Sequence, residues 1–403
     1  MGLVLLAAAY LRRRWGQALL SMVVGALGIS AVATAMIGIE ALPEAAQRSW
    51  GGVDLVVGPK GSALDLVLCC ALHVADPRGI IPQNAAMEAL RNPMIAAAAP
   101  IALGDSVRGW RIMGTTPRIL AVYEAEVASG RMWEKPLEAV LGARAAQALN
   151  LGPGGAFLGA HGMAASGEEH REFHYTVVGV LAPTGSALDR LVLSDIETVR
   201  IIHEAHAREL AAESGVAPRL MDAPPTATAI VASYRSPVAA VQIPRMIDAT
   251  PAFSAGSPTF EIARLMSYLR PLTLAATGLG VLLVGIAAAG AAAGLMATMN
   301  ARTRDLALLR ALGAGPLKTG LVAFAEASMI AAAALAAGAM ATWLLIALAA
   351  RELMERFGLL LTPHFELRNA AYVIAGTAVA AAAAALFPAI RAARTPIEEL
   401  LQS

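Results

Sequence analysis

The chain has 403 residues, 57% hydrophobic and only 15% charged, with a formal net charge of +1. A soluble domain carries about 25% charged residues, so the deficit argues against one and points to lipid. With no dense basic stretch and no interleaving of aromatic and basic side chains, nothing suggests a nucleic-acid partner.

Taken in chain order, residues 1–15 place Leu3, Leu5, Leu6 and Tyr10 ahead of Arg12, Arg13 and Arg14. That pattern predicts an interfacial helix on the inner leaflet. Residues 16–40 form the first span, built on a charge-free run of 24 residues, Gly16 to Ile39. A signal-peptide apolar region is about 7–15 residues long, so this one reads as a retained anchor. Residues 41–270 are of mixed polarity and numerous enough for a core of their own.

Within that segment Val53–Val57 and Thr176–Leu181 read as strands rich in β-branched residues. Ala143–Leu151 reads as a short helix stopped by Gly152-Pro153-Gly154-Gly155. Asp195–Ala212 reads as a longer helix, Met221–Pro225 and Ser254–Pro258 as loops, and Phe260–Arg270 as a helix leading out of the next span like a lever. A subdomain boundary is placed near residues 130–135. Cys69 and Cys70 are the only cysteines and are adjacent. A disulfide framework needs spaced pairs, so they read as two small buried residues.

Three further charge-free runs follow: Pro271–Ala301 (31 residues), Ala327–Ala350 (24) and Asn369–Ile390 (22). About 20 apolar residues cross the hydrocarbon core. The expected layout is a second span at 271–300, a cytoplasmic segment at 301–318 and a third span at 319–350. A short external loop at 351–368, a fourth span at 369–390 and a cytoplasmic tail at 391–403 complete it. Arg12, Arg13 and Arg14, then Arg302, Arg304, Arg310 and Lys318, then Arg391 and Arg394 fall on one side, which the positive-inside rule makes the cytoplasm. The fold class is therefore a membrane protein with four transmembrane α-helices and a large extracytoplasmic α+β domain between the first two. It is expected in the cell (inner) membrane, in contact with membrane lipid, with both termini cytoplasmic.

In the segment 301–318, Arg302, Asp305 and Arg310 alternate with Leu306, Leu308, Leu309 and Leu312, and Gly313 follows. This is a short amphipathic helix, which either rests on the membrane or docks a partner. The run Arg302, Arg304, Asp305, Leu309, Arg310, Ala311, Leu312, Gly313, Ala314 resembles the cytoplasmic loop of FtsX/MacB/LolC-type ABC transporter permeases, with Asp305 where that family usually has Glu. Pro388, Arg391-Ala392-Ala393-Arg394 and Pro396-Ile397-Glu398-Glu399-Leu400 resemble its C-terminus, and Val140–Arg144, Leu149–Gly152 and Tyr175–Leu181 its external domain. The resemblance implies that two permeases pair, as copies or paralogues, over two separate ABC ATPase subunits whose closure on ATP moves the external domains. It makes Arg302, Arg304, Asp305, Leu309, Arg310, Leu312, Gly313 and Glu398 the ATPase-coupling residues. ATP-Mg would then sit on the partner. This chain lacks a P-loop, since the nearest run, Gly313 to Thr319, has Leu317 where the second glycine must stand.

Other residues carry open alternatives. Gly290 and Gly294 form a small-residue motif in the second span, read either as a permease–permease contact or as packing within one subunit. Glu326, about two turns inside the third apolar stretch, is a functional candidate by its position, with a structural or coupling role favoured over a proton relay. His170, His174, His203 and His206, with Glu168, Glu169 and Glu204 near by, supply zinc-ligand chemistry or else a solvated surface. Permeases of this type associated with zinc handling look similar here, carrying histidine-rich loops and then a motif matched by Pro183-Thr184-Gly185 and Leu188-Asp189-Arg190. An ATPase-driven regulator of a cell-wall enzyme shares this architecture. A membrane-bound enzyme is disfavoured, because neither G-x-S-x-G nor H-E-x-x-H occurs.

Overall fold

The computed structural model describes residues 2–161, 169–202, 204–205, 224–301, 316–362 and 366–394. They form two compact units. One comprises residues 1–42, 267–351 and 362–403, and the other residues 43–266 with 352–361.

The membrane unit starts with α1 (Gly2–Arg13) and α2 (Trp15–Trp50). Arg14 breaks the helix between them. Among the described residues four helices are long and apolar enough to cross a bilayer, and α2 is the first of them. Its 36 residues make about 54 Å at 1.5 Å per residue, well beyond a hydrocarbon core of about 30 Å. Helix formation therefore continues ten residues past the predicted end of the span, through Pro43, and the C-terminal part of α2 belongs to the second unit.

The second unit is built on one ten-stranded mixed sheet. In chain order its elements are β1 (Leu55–Pro59), α3 (Ala63–Cys70), β2 (Ile81–Pro82), α4 (Gln83–Ala89), β3 (Ile95–Val107) and β4 (Trp110–Thr115). Next come α5 (Ile119–Tyr123), β5 (Val127–Gly130), β6 (Glu138–Leu141), α6 (Ala143–Leu149), β7 (Ala156–His161), β8 (Glu169–Leu181) and β9 (Val192–Asp195). Helical residues 196–202 (α7), β10 (Thr226–Ala227), β11 (Ala229–Tyr234), α8 (Ala239–Asp248) and β12 (Phe253–Gly256) complete it. The strand order is β12-β1-β11-β3-β4-β9-β6-β8-β5, and β7 bridges β3 and β8. Strands β3, β4, β9, β6, β8 and β7 thus hydrogen-bond in a closed ring.

Side-chain alternation sorts the strands between cores. Ile112, Leu141 and Val192 fall in one buried cluster, with Tyr175 stacked on Phe157 at 5.0 Å. Their neighbours Met113, Val140 and Leu193 fall in another, with Trp50 and Trp133. Chain-distant caps hold the margins. Lys60 Nζ donates to the carbonyls of Asp248, Thr250 and Phe253 at 2.9, 3.0 and 2.9 Å, satisfying acceptors at and just beyond the end of α8.

Several expectations are corrected. The boundary near residues 130–135 lies inside a single sheet, because β5 pairs with β8 across it. Ser254–Pro258 is not a loop: Phe253–Gly256 pairs antiparallel with β1, and ladder hydrogen bonds override the weak strand preference of Ser, Ala and Gly. Helix α6 ends one turn before the glycines, because Asn150 takes the left-handed conformation at φ 53° and caps it.

The remaining membrane helices are α9 (Pro258–Ala301), α10 (Pro316–Glu352) and α11 (Leu367–Arg394). Helix α9 contains both the expected outward helix and the second span without interruption. Helices α2 and α9 cross glycine on glycine. A Cβ added to Gly28 would stand 2.6 Å from the Gly280 carbonyl oxygen, and one on Gly280 would stand 2.7 Å from that of Gly28.

Candidate functional site

At one end of the membrane unit, polar side chains gather between α2, α9 and α10. Arg14, at the corner between α1 and α2, donates through Nη1 to the Gly294 carbonyl at 3.1 Å. One turn along α2, Gln17 Nε2 lies 3.5 Å from the Gly290 carbonyl. Glu326 on α10 is 5% exposed and lines with these residues, Tyr10 and Ser21 a cavity of about 30 Å³. That is room for about one water. The structure thus brings together Glu326, Gly290 and Gly294. The two glycines face Ser21 and Gln17 of this same chain, where a Cβ would meet their side chains at 3.3 and 2.8 Å. About two turns beyond Gly294, α9 runs into the predicted coupling segment. Arg302, Arg304, Asp305, Leu309, Arg310, Leu312, Gly313 and Glu398 lie outside the described residues.

The histidine set is only partly placed. His170 and His174 belong to β8, where His174 is exposed and opposite Leu158 of β7. His203 and His206 lie outside the described residues. Among the described residues no three His, Cys, Asp or Glu side chains converge as a metal ion requires.

A second polar centre, unmarked by any motif, lies inside the external unit. Arg111 is 6% exposed and donates to the Ala75 carbonyl at 2.8 Å and to Asp76 at 2.9 Å. Cys69 and Cys70 are buried free thiols. The hydrogen bond from Cys70 and the Arg111 guanidinium hold Cys69 below the ordinary thiol range. The bond to Cys69 and burial push Cys70 well above it. His73 sits beside them in the left-handed region at φ 55°, its Nε2 3.4 Å from the Tyr123 hydroxyl. Burial, then the Arg111 and Arg190 guanidinia, push its pKa down to about 3. Arg190 is itself pushed down to about 10 by burial and by the Arg144 and Arg111 charges.

The Pro183–Arg190 motif orients Arg190. The Asp189 carboxylate, 4% exposed, accepts from Thr184 N, Thr184 Oγ1 and Gly185 N, each at 2.8 Å. This closes a turn in which Gly185 takes φ 72°. Residues 352–361, between α10 and α11, pack on the same region. Gly358, left-handed at φ 60°, has no room for a Cβ against the Arg190 guanidinium, and Leu359 joins the core of Trp50 and Trp133. Arg48 Nη2 reaches the Leu360 carbonyl at 3.5 Å.

His73 makes stability depend on pH. The unfolded chain takes up a proton near pH 6.5, whereas the folded unit refuses it until about pH 3. Stability is therefore complete above pH 6.5 and drains as pH falls toward 3, by up to about 1.4 kcal/mol per pH unit. His73→Asn tolerates the left-handed backbone and does not titrate. Thermal unfolding of the full chain in detergent, followed by tryptophan fluorescence between pH 7.5 and 4.5, should show a shallower acid slope for the variant. Equal slopes would remove His73 as the cause.

Comparison with known proteins decides the family. The MacB-like periplasmic core domain matches residues 18–248, and the FtsX-like permease C-terminal domain matches residues 277–397. The chain belongs to the FtsX/MacB-type ABC permeases. Among solved structures it is similar to the periplasmic region of MacB from Actinobacillus actinomycetemcomitans, at 12% identity and a TM-score of 0.34, over 54% of this chain and 94% of that one. It is also similar to the extracellular domain of the noncanonic ABC-type transporter YknZ from Gram-positive bacteria, at 9% identity and a TM-score of 0.28, over 50% and 98%. No curated protein matches the sequence. Membership makes this permease a multi-pass membrane protein and a permease-type component of an ABC transporter, in a family whose ATPase is a separate subunit.

Proposed function

We propose that this permease relays ATP-driven closure of a separate ABC ATPase to its external domain, driving export or extraction of an envelope substrate. In this reading it works in the inner membrane as a pair of permeases, with both termini in the cytoplasm and residues 302–313 seated on the ATPase. The observation that carries the reading is the continuity of α2 and α9, each a single helix shared between the membrane and external units. A push delivered beyond Ala301 enters α9 directly, and Arg14 ties that end of α9 to α1 and α2. The substrate class left open is a lipoprotein, an amphiphile or a metal-related ligand.

The test is association with the ATPase. Leu309→Glu and Leu312→Glu should weaken co-purification of the ATPase from membranes by about tenfold or more, as loss of a buried interface anchor does. Both variants should leave the melting of the external domain unchanged. An ATPase that stays bound to the double variant would sink the docking assignment.

A further inference from the structure

A groove runs along the membrane unit between α2, α10 and α11. It encloses about 450 Å³ and is walled by Ile29, Ala33 and Ile37 on one side and by Trp343, Val373 and Ile374 on the others. Its hydroxyl group, on Thr342, is turned back onto the Gly338 carbonyl at 2.8 Å. Such a wall offers dispersion contacts and no polar partner, which suits a hydrocarbon chain.

One end of the groove is polar. Asn369, 4% exposed, donates Nδ2 to both carboxylate oxygens of Glu40, at 3.2 and 3.1 Å. Asn369 directly precedes the lining residue Ala370, and Glu40 stands one turn beyond the lining residue Ile37. The pair thus marks the end at which α2 leaves the lipid and α11 enters it. Among the described residues the Glu40 carboxylate receives only this neutral amide. Arg368, next to Asn369 in sequence, is paired with Glu366 at 3.1 Å. A carboxylate at the edge of hydrocarbon is costly without a counter-charge.

We propose that this groove binds a bilayer phospholipid bearing a primary ammonium headgroup, with one acyl chain along the apolar wall and the ammonium on the Glu40 carboxylate. A primary ammonium offers three donors, whereas a quaternary one offers none. An anionic headgroup is repelled by Glu40. The site needs only the membrane spans, so it stands or falls separately from ATPase coupling.

The test is lipid retention by the full chain, read by native mass spectrometry. The detergent-purified protein is exchanged in turn with phosphatidylethanolamine, phosphatidylcholine and phosphatidylglycerol of identical acyl chains. Phosphatidylethanolamine should be retained about tenfold more than the other two, the worth of one charge-assisted contact. Glu40→Gln keeps an acceptor for Asn369 and removes the charge, and should bring phosphatidylethanolamine down to the phosphatidylcholine level. Ala339→Leu fills the groove from α10 and should lower retention of all three. Equal retention of the three lipids, or a preference that survives Glu40→Gln, overturns the proposal. So does lipid retention left unchanged by Ala339→Leu. Displacement by dodecylammonium without preference among the phospholipids assigns the site to a free amphiphile and also overturns it.

Discussion

Gly280→Ala should destabilise the membrane unit by roughly 2 kcal/mol, and Gly28→Ala by a similar amount, the typical cost of overpacking. Both new methyl groups run into backbone. At Gly28 the obstacles are the Gly280 carbonyl oxygen at 2.6 Å and Val284 N at 2.9 Å, and at Gly280 they are the Gly28 carbonyl oxygen at 2.7 Å and Val32 N at 3.1 Å. No rotamer relieves such contacts, so the helices must separate along their whole crossing. Gly278 and Gly285 lie on the same helix with open space around them. Gly278→Ala and Gly285→Ala should be neutral or slightly stabilising, through the better helix propensity of alanine. Thermal unfolding of the four variants in one detergent separates position from composition. If Gly280→Ala melts with Gly285→Ala, the close crossing is not what holds the two spans.

Asp189→Ala should cost the external unit roughly 3 kcal/mol. The substitution strips acceptors from two backbone N–H groups and a hydroxyl, and an unsatisfied donor away from water costs about 1–3 kcal/mol. It also frees Arg190, whose position under Gly358 depends on the turn that Asp189 closes. Asp189→Asn retains one acceptor oxygen and should lose about half as much. Glu88→Ala removes only the solvent-exposed partner of Arg91 and should change stability by less than about 0.5 kcal/mol. Two of the five tryptophans, Trp50 and Trp133, lie in this core and give fluorescence a signal from it. An Asp189→Ala protein as stable as Glu88→Ala would mean the turn is held by its glycine and proline alone.

Much of this architecture can be read from residue order. The four spans are visible because lipid admits few charges over twenty residues, and the charge-free runs fall inside the four long helices. The outward helix at Phe260–Arg270 is continuous with the second span, because the helix runs on through Pro271 without a break. Features that residue order does not reveal join residues far apart in the chain. Phe253–Gly256 carries turn-forming residues and becomes a strand only because β1 offers it a ladder. The Gly290–Gly294 motif is legible from its spacing alone, whereas the tighter crossing needs Gly28 and Gly280, 252 positions apart, to meet. The signal was present in the dense glycines of both spans, but only geometry tells which of them touch. Arg111 and His73 form no motif, and nothing in residue order links them to the Leu188-Asp189-Arg190 motif that they meet in the fold.

The segment 352–361 has a consequence for how the protein is made. Leu359 packs on a core whose other members lie between Ala46 and Met266, so more than ninety residues must be synthesised after Met266 before that core can close. The external unit cannot finish folding when its own continuous stretch has emerged. It must wait for the third span to insert and for the hairpin beyond it to reach the same side of the membrane. A domain excised at residue 266 would leave the seat of Leu359 open to water and Arg190 uncovered. Such a fragment should be less stable and stickier than the same residues in the whole chain.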